Sequence, residues 1–354
     1  MNNIIISGIQ QAGIGVANMP EAWKWYRTYF GMDVRIFEEE AEAKLMLPYT
    51  GGQPRSRHAA LAINMQGGGG FEIWQYKGRI PEAPKTAVLL GDYGIFAVKI
   101  KCLDIKKTHA YYLSKGLKVT SLAVGPDGNN TFFVQDPYGN YFQLVKGNGW
   151  FKDEHKLTGS TYGAIIGVSD IDKSKEFYRT ILGYDQVVYD VSNSVSDVVE
   201  LPGGTHSARR VLLTHSSPRK GAFSPLLGES QIELVQVLDR KAVNIFAGRL
   251  WGDLGFIHLC FDMHGMEQMR EKCKNLGHPF TVDSSSSFDM GEAAGHFAYI
   301  EDPDGTLIEF VETHKVPVLK KLGWYVNLTK RNPEKALPIW MLKALSFNKV
   351  KDNK

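Results

Sequence analysis

The sequence predicts an α+β fold of four modules of βαβββ type, two in each half of the chain, with a helical extension at the C-terminus. Three observations carry this. Apolar runs of strand length recur between clusters of Gly, Pro and Asn, and the first run of each module leads into a segment of helical spacing. Motifs then repeat half a chain apart: Gly15-Val16-Ala17-Asn18 answers Gly167-Val168-Ser169-Asp170, and Tyr26-Arg27-Thr28 with Gly31 recurs as Tyr178-Arg179-Thr180 with Gly183, all at a shift of 152 residues. Finally, Asp136-Pro137-Tyr138-Gly139 recurs as Asp302-Pro303-Asp304-Gly305 at a shift of 166, so the second copy carries loop insertions, as around residues 215–228. The divisions expected are 1–150, 151–315 and an extension 316–354.

Taken in order, Ile9–Val16 reads as a strand. Asn18 then caps a helix that has Pro20 just inside it, buries Ala22, Tyr26 and Tyr29 or Phe30, and stops at Gly31. Strands are expected at Val34–Phe37, Ala43–Leu47, His58–Ile63 and Phe71–Gln75. The next module opens at Gly94–Ile100, with Asp104 capping a helix that runs to Gly116. It closes with Thr131–Gln135, the Asp-Pro-x-Gly turn and Asn140–Val145. After a linker from Gly147 to Ser160 the pattern restarts. The glycines Gly67 to Gly70 lack a following helix and a Lys-Ser/Thr pair, which makes them a hairpin rather than a phosphate loop. In the extension, Asn332-Pro333-Glu334 reads as a helix start, with Leu337, Trp340, Met341, Ala344 and Leu345 at helical spacing and Pro338 interrupting. Packing over a sheet edge, with a solvated lysine-rich end at 349–354, is the expected role.

Composition narrows the function. With 41 basic and 38 acidic residues the charge is nearly balanced, which does not suggest nucleic acid as a partner. Cys102, Cys260 and Cys273 form no CxxC pair and leave an odd count, against a disulfide framework or thiolate zinc site; a reducing, cytoplasmic setting is expected. No apolar run approaches the roughly 18 residues of a membrane helix.

Charge within apolar strands is the informative feature. Glu309 lies among Leu307, Ile308, Phe310 and Val311, where an ionised carboxylate is costly without a cation or donor. His258 in Gly255-Phe256-Ile257-His258 reads either as a partner for that cation or as a core histidine satisfied by one hydrogen bond. Glu233 in Gln231-Ile232-Glu233-Leu234 reads either as a ligand or as a solvent-facing carboxylate.

Four such modules, each with a strand, a helix stopped by glycine, and Asp-Pro-x-Gly before the last strand of each half, resemble the vicinal oxygen chelate superfamily. This family includes glyoxalase I, extradiol dioxygenases, methylmalonyl-CoA epimerase and bleomycin- or fosfomycin-resistance proteins. The resemblance spans residues 8 to about 313. It implies two glyoxalase-like domains with curved mixed sheets, and metal ligands from the opening and last strands of the modules. The first half offers Gln11, Glu72, Ala97 and Gln143 at those positions, a poor ligand set. The second half offers Gly163, Glu233, His258 and Glu309. The expectation is therefore one divalent metal (Fe, Zn, Ni, Co or Mn) held by Glu233, His258 and Glu309. Gly163 departs from the pattern and should leave an open space for a chelating substrate. His206, His215, His264 and His296 are candidates for the missing ligand, and Arg209, Arg210 and Arg219 for an anionic substrate group.

The resemblance implies a metal-dependent enzyme of the glyoxalase or epimerase type, acting on a small molecule through an enediolate, with Glu309 as base. An extradiol-type dioxygenase is the alternative, although such enzymes use two His and one Glu; a metal-free binding or resistance protein is another. A monomer or homodimer, without nucleic acid or membrane as partner, completes the expectation.

Overall fold

In a computed structural model, residues 4–193, 196–284, 288–289, 294–319 and 324–351 are described. The first module comprises β1 (Ile5–Gly15), α1 (Met19–Phe30), β2 (Val34–Glu42), β3 (Ser56–Ile63) and β4 (Gly70–Tyr76). The second has β5 (Gly94–Cys102), α2 (Ile105–Ser114), β6 (Ala123–Val124), β7 (Asn130–Gln135) and β8 (Tyr141–Lys146). The third has β9 (Thr158–Gly167), α3 (Ile171–Leu182), β10 (Gln186–Ser192), β11 (Ala208–Thr214), a single-turn α4 (Ser224–Leu227) and β12 (Gln231–Val237). The fourth has β13 (Gly255–His264), α5 (Met266–Asn275), β14 (Val282–Asp283), β15 (Phe288–Asp289), β16 (Ala294–Glu301) and β17 (Leu307–Thr313).

Local chemistry sets the helix ends as the sequence predicts. Asn18 accepts from the Glu21 N–H at 3.3 Å, Asp170 accepts from Asp172 and Lys173, and Asp104 accepts from Lys107. Gly31 and Gly183 take left-handed φ of 66° and 75° to close α1 and α3, a conformation that glycine adopts without a Cβ penalty. All four modules share one strand order, with the opening strand beside the last. The sheets are curved and mixed, parallel where the opening strand meets the last strand of its module and antiparallel elsewhere.

The two modules of one half do not share a sheet. The first module joins the fourth through the antiparallel β1–β13 pair, and the second joins the third through β5–β9. The division expected near residue 150 falls between β8 and β9, inside one sheet rather than between two. Each half is instead tied through its helices. Tyr26 on α1 donates to Asp136 at 2.7 Å, and Tyr178 on α3 donates to Asp302 at 3.0 Å. Both aspartates belong to the Asp-Pro-x-Gly turns, where the other oxygen takes backbone N–H groups of Tyr138 and Asn140, or of Asp304 and Thr306. The turn motif thus also anchors the neighbouring module's helix.

One face of both sheets packs on the helices in a continuous core that includes Ile14, Tyr26, Phe30, Phe71, Phe142, Ile166, Tyr178 and Phe310. The opposite face of the first sheet carries Ala59, Trp74, Tyr76, Ile257, Tyr299 and Leu307, with Trp251 packed on it from the loop before β13. Ala43–Leu47 is not a strand: β2 ends at Glu42 and the chain turns over this face, burying Met46. Pro48 sits in a short 3-10 turn, and Tyr49 donates to Glu301 at 2.8 Å to hold the cover down.

The extension forms the hairpin β18 (Lys315–Leu319) and β19 (Trp324–Asn327), then α6 (Ile339–Ala344). The helix starts after Pro338 rather than at Asn332. Proline cannot supply the interior N–H, and Asn332 caps only a turn by accepting from Glu334. Leu337 and Leu342 pack against Val34 and Ile63, and the Val350 N–H donates to the Asp33 carbonyl, covering the β2 edge as expected. Residues 352–354 of the lysine-rich end, and residues 1–3, lie outside the described residues. Among the described residues no helix is long and apolar enough to cross a membrane.

Because Tyr178 supplies a donor to a buried carboxyl that burial pushes up to about 6, Tyr178→Phe should cost about 1–3 kcal/mol. Urea unfolding of the two proteins measures the difference; equal midpoints would mean the inter-module bond adds nothing.

Candidate metal centre

The β1–β13 pair sets Gly13 opposite His258 and Gln11 opposite Cys260. A Cβ on Gly13 would lie 2.6 Å from His258 Nδ1, so the glycine clears the space in which the imidazole stands. β4 runs parallel to β1 with Glu72 beside Gly13, and β17 runs parallel to β13 with Glu309 beside Cys260. Three strands thus aim an imidazole and two carboxylates at one point. His258 Nε2 lies 3.1 Å from Glu309 and 3.4 Å from Glu72, and Gln11 Nε2 donates to Glu309 at 3.3 Å.

The site is enclosed. The His258 side chain is 0% exposed, Glu72 12% and Glu309 9%. Burial raises the Glu72 carboxyl above its usual range, with the His258 ring opposing. Burial alone would lower His258, but the Glu309 and Glu72 carboxylates override it and the ring's pKa rises. Among the described residues, neither ring nitrogen makes an aligned hydrogen bond, and no donor meets the buried Gln11 Oε1. Two carboxylates and an imidazole in one buried pocket, with the Gln11 amide against Glu309, form a donor set that fits a divalent cation of the Zn, Fe, Ni, Co or Mn type. Aromatic rings wall it: Trp251 stacks parallel to His258 with centroids 6.3 Å apart, and Tyr299 meets that ring edge-on at 5.5 Å. Beyond Trp251 lies a cavity of about 470 Å³ lined by Tyr49, Phe246, Arg249, Ile257 and Leu307.

Of the residues expected from sequence, His258 and Glu309 come together and Glu233 does not. Glu233 lies on β12 in the other sheet, where Lys99 donates to it at 2.7 Å and Arg210 at 2.9 Å. Its place beside His258 is taken by Glu72, and Gln11 supplies the fourth group. Gly163 is not beside the centre either. It faces Gln231 on β12, and a Cβ there would collide with the Gln231 carbonyl, so this glycine permits close strand approach and opens no substrate space. His206, His264 and His296 pair with Asp239, Glu312 and Asp283, while His215 contacts the Ser217 carbonyl. Arg209 is held by Asp172 and Asp190, Arg210 by Asp197 and Glu233, and Arg219 donates to the Leu182 carbonyl. Glu72 was already among the first-half ligand positions, set apart from His258 by half; Phe71-Glu72-Ile73 repeats the pattern of Ile232-Glu233-Leu234. Which of the two faces His258 depends on module pairing.

The Lys99 and Arg210 partners hold the Glu233 carboxyl down at about 2 against its burial. A carboxyl whose folded pKa is depressed adds stability that is full above its unfolded pKa of about 4.5 and is lost as pH falls towards 2. Acid unfolding followed by circular dichroism should therefore show a shallower dependence between those values in Glu233→Gln, which starts less stable, than in the wild type. An unchanged slope would show that Glu233 is not held ionised.

The family model described as Glyoxalase/Bleomycin resistance protein/Dioxygenase superfamily matches residues 8–144 and 162–310. Among solved structures, glyoxalase I from Zea mays is similar at 17% identity and TM-score 0.51, covering 86% of this chain and 92% of that one. A candidate dioxygenase from Bacillus subtilis is similar at 13% identity and TM-score 0.56, covering 87% and 86%. These identities speak to the fold alone. No curated protein sequence matches. With the family match spanning most of both halves, the chain belongs to the glyoxalase/bleomycin resistance protein/dioxygenase superfamily.

Proposed function

We propose that the chain is a metal-dependent enzyme of the glyoxalase or epimerase type, with a divalent cation held by Gln11, Glu72, His258 and Glu309. The observation that carries this reading is the convergence of Glu72, His258 and Glu309 in one buried site, with Gln11 hydrogen-bonded to Glu309 and its carbonyl oxygen meeting no donor among the described residues. The expected set of Glu233, His258 and Glu309 is replaced in this proposal, because Glu233 already neutralises Lys99 and Arg210. A bound divalent cation supplies Lewis-acid stabilisation of negative charge developing on two neighbouring substrate oxygens.

The chain's own groups divide the remaining work. Glu309 takes a proton from the carbon next to a substrate carbonyl and returns it to the neighbouring position or the opposite face. Gln11 donates to Glu309 and fixes its orientation, and Tyr299 lies directly across from it on β16. The aromatic wall excludes water, and the cavity beyond Trp251 receives the rest of a small-molecule substrate. A dioxygenase of the two-His type fits less well, since the opening-strand position holds Gln11 rather than a second histidine.

Elemental analysis should find about one equivalent of divalent metal in the wild type and almost none in His258→Ala. Turnover on α-dicarbonyl hemithioacetals or acyl thioesters, followed with exchange of substrate hydrogen for solvent deuterium, should fall by roughly 10²–10⁴ in Glu309→Gln. Full metal retention in His258→Ala, or undiminished exchange in Glu309→Gln, would refute the assignment; activity on catechols alone would favour the dioxygenase reading.

Gly13→Ala gives an independent check, because Gly13 itself supplies no ligand atom, yet a Cβ there would crowd the imidazole, 2.6 Å from Nδ1 and 2.8 Å from Nε2. Metal affinity should fall by roughly 10–100-fold while far-UV circular dichroism stays unchanged. Unaltered affinity would place the cation away from His258.

A further inference from the structure

The C-terminal extension turns more apolar surface outward than its own packing uses. α6 continues as a 3-10 turn over Leu345–Asn348, and this segment buries Leu342 with Leu337 against the β2 side of the first sheet, Met341 and Leu345 lying partly buried beside them. The other side of the segment holds Trp340, Lys343 and Phe347, spaced by three and four residues, with Ile339 adjoining. Ile339 is 46% exposed, Trp340 59% and Phe347 91%. One exposed apolar side chain is ordinary, but three large ones on one face of so short a segment make an apolar patch. None of the three lines the metal centre or its cavity.

Charge is concentrated in the same place. Of the chain's 41 basic and 38 acidic residues, nine basic and two acidic fall within residues 316–354, so the extension carries a net +7 and the rest of the chain −4. Lys349 is paired with Glu154, whereas Lys330, Lys335, Lys343 and Lys351 meet no carboxylate among the described residues. Lys343, between Trp340 and Phe347 on the outward side, can lay its stem along the apolar patch and keep its ammonium at the rim.

An apolar patch within excess positive charge narrows the choice of partner. A second copy would cover the patch by bringing two strongly basic extensions together, which like-charge repulsion opposes. Single-stranded nucleic acid would use the aromatic rings for stacking and the lysines for phosphate, but leaves the aliphatic Ile339 without a role. An anionic bilayer takes all of these groups: aromatic and aliphatic side chains enter the interfacial layer, and lysines meet the lipid headgroups. We propose that the extension is a peripheral membrane anchor, in which Ile339, Trp340 and Phe347 insert into the surface of an anionic lipid bilayer and the surrounding lysines bind its headgroups. α6 is too short to span a bilayer, so the segment lies along the surface. The body, with its net −4, is repelled by the same surface, which orients the chain with the extension facing the lipid. This replaces the expectation of a solvated end and no membrane partner.

The test is co-sedimentation of the full chain with vesicles of phosphatidylcholine alone and of phosphatidylcholine with phosphatidylserine at roughly 2:1. Binding is expected to the mixed vesicles and not to the neutral ones, and should be lost at about 0.5 M salt. Trp340→Ser combined with Phe347→Ser should weaken it more than about tenfold, and Lys343→Gln about fivefold, with circular dichroism unchanged in both variants. No binding to the mixed vesicles, equal binding to the neutral ones, or full binding by the double variant overturns the proposal. It is also overturned if, without vesicle binding, the double variant dissolves a dimer of the wild type or loses binding to a single-stranded oligonucleotide, results that would assign the patch to a second copy or to nucleic acid.

Discussion

The antiparallel contact between β1 and β13 is the constraint on which the site depends. It joins the first module to the last, across almost the whole length of the chain, and sets Gly13 against His258. Without that contact Glu72, on the first module, would not meet His258 and Glu309, on the fourth. The parallel neighbours β4 and β17 then follow from the common strand order of the modules, and each adds one carboxylate from the same sheet face.

Burying charge this deeply is tolerable only if the charges answer one another. The two sheets solve this differently on one scaffold. In one, Lys99 and Arg210 neutralise Glu233 and Asp197 inside the protein. In the other, Glu72, Glu309 and His258 converge with the Gln11 amide against Glu309, under a cover of aromatic rings. The first arrangement is complete in itself, and the second asks for a cation from outside. The asymmetry leaves a candidate metal centre in one of two equivalent places.

The halves are interlocked rather than set side by side. Sheets connect modules across the halves, while Tyr26–Asp136 and Tyr178–Asp302 connect modules within each half through their helices. Opening the first sheet at β1–β13 would separate its modules from one another while each stayed tied to its neighbour in sequence. The site lies at a seam of this kind, covered by the turn at Pro48 and the loop bearing Trp251.

The sequence by itself determined the modules, the helix caps at Asn18, Asp104 and Asp170, the glycine stops, the turn aspartates, and the anomaly of Glu309 among apolar neighbours. These are properties of local spacing and backbone chemistry, and they hold whichever strands later meet. The family resemblance brought forward the eight ligand positions, including Gln11 and Glu72, but grouped them by half. Tertiary structure alone decided that His258 and Glu309 join Glu72 rather than Glu233. Phe71-Glu72-Ile73 and Ile232-Glu233-Leu234 are alike in local pattern, so nothing nearby in the chain distinguishes them. Strand pairing over long sequence separation does: Gly13 can admit an imidazole opposite it, and Ile165 cannot.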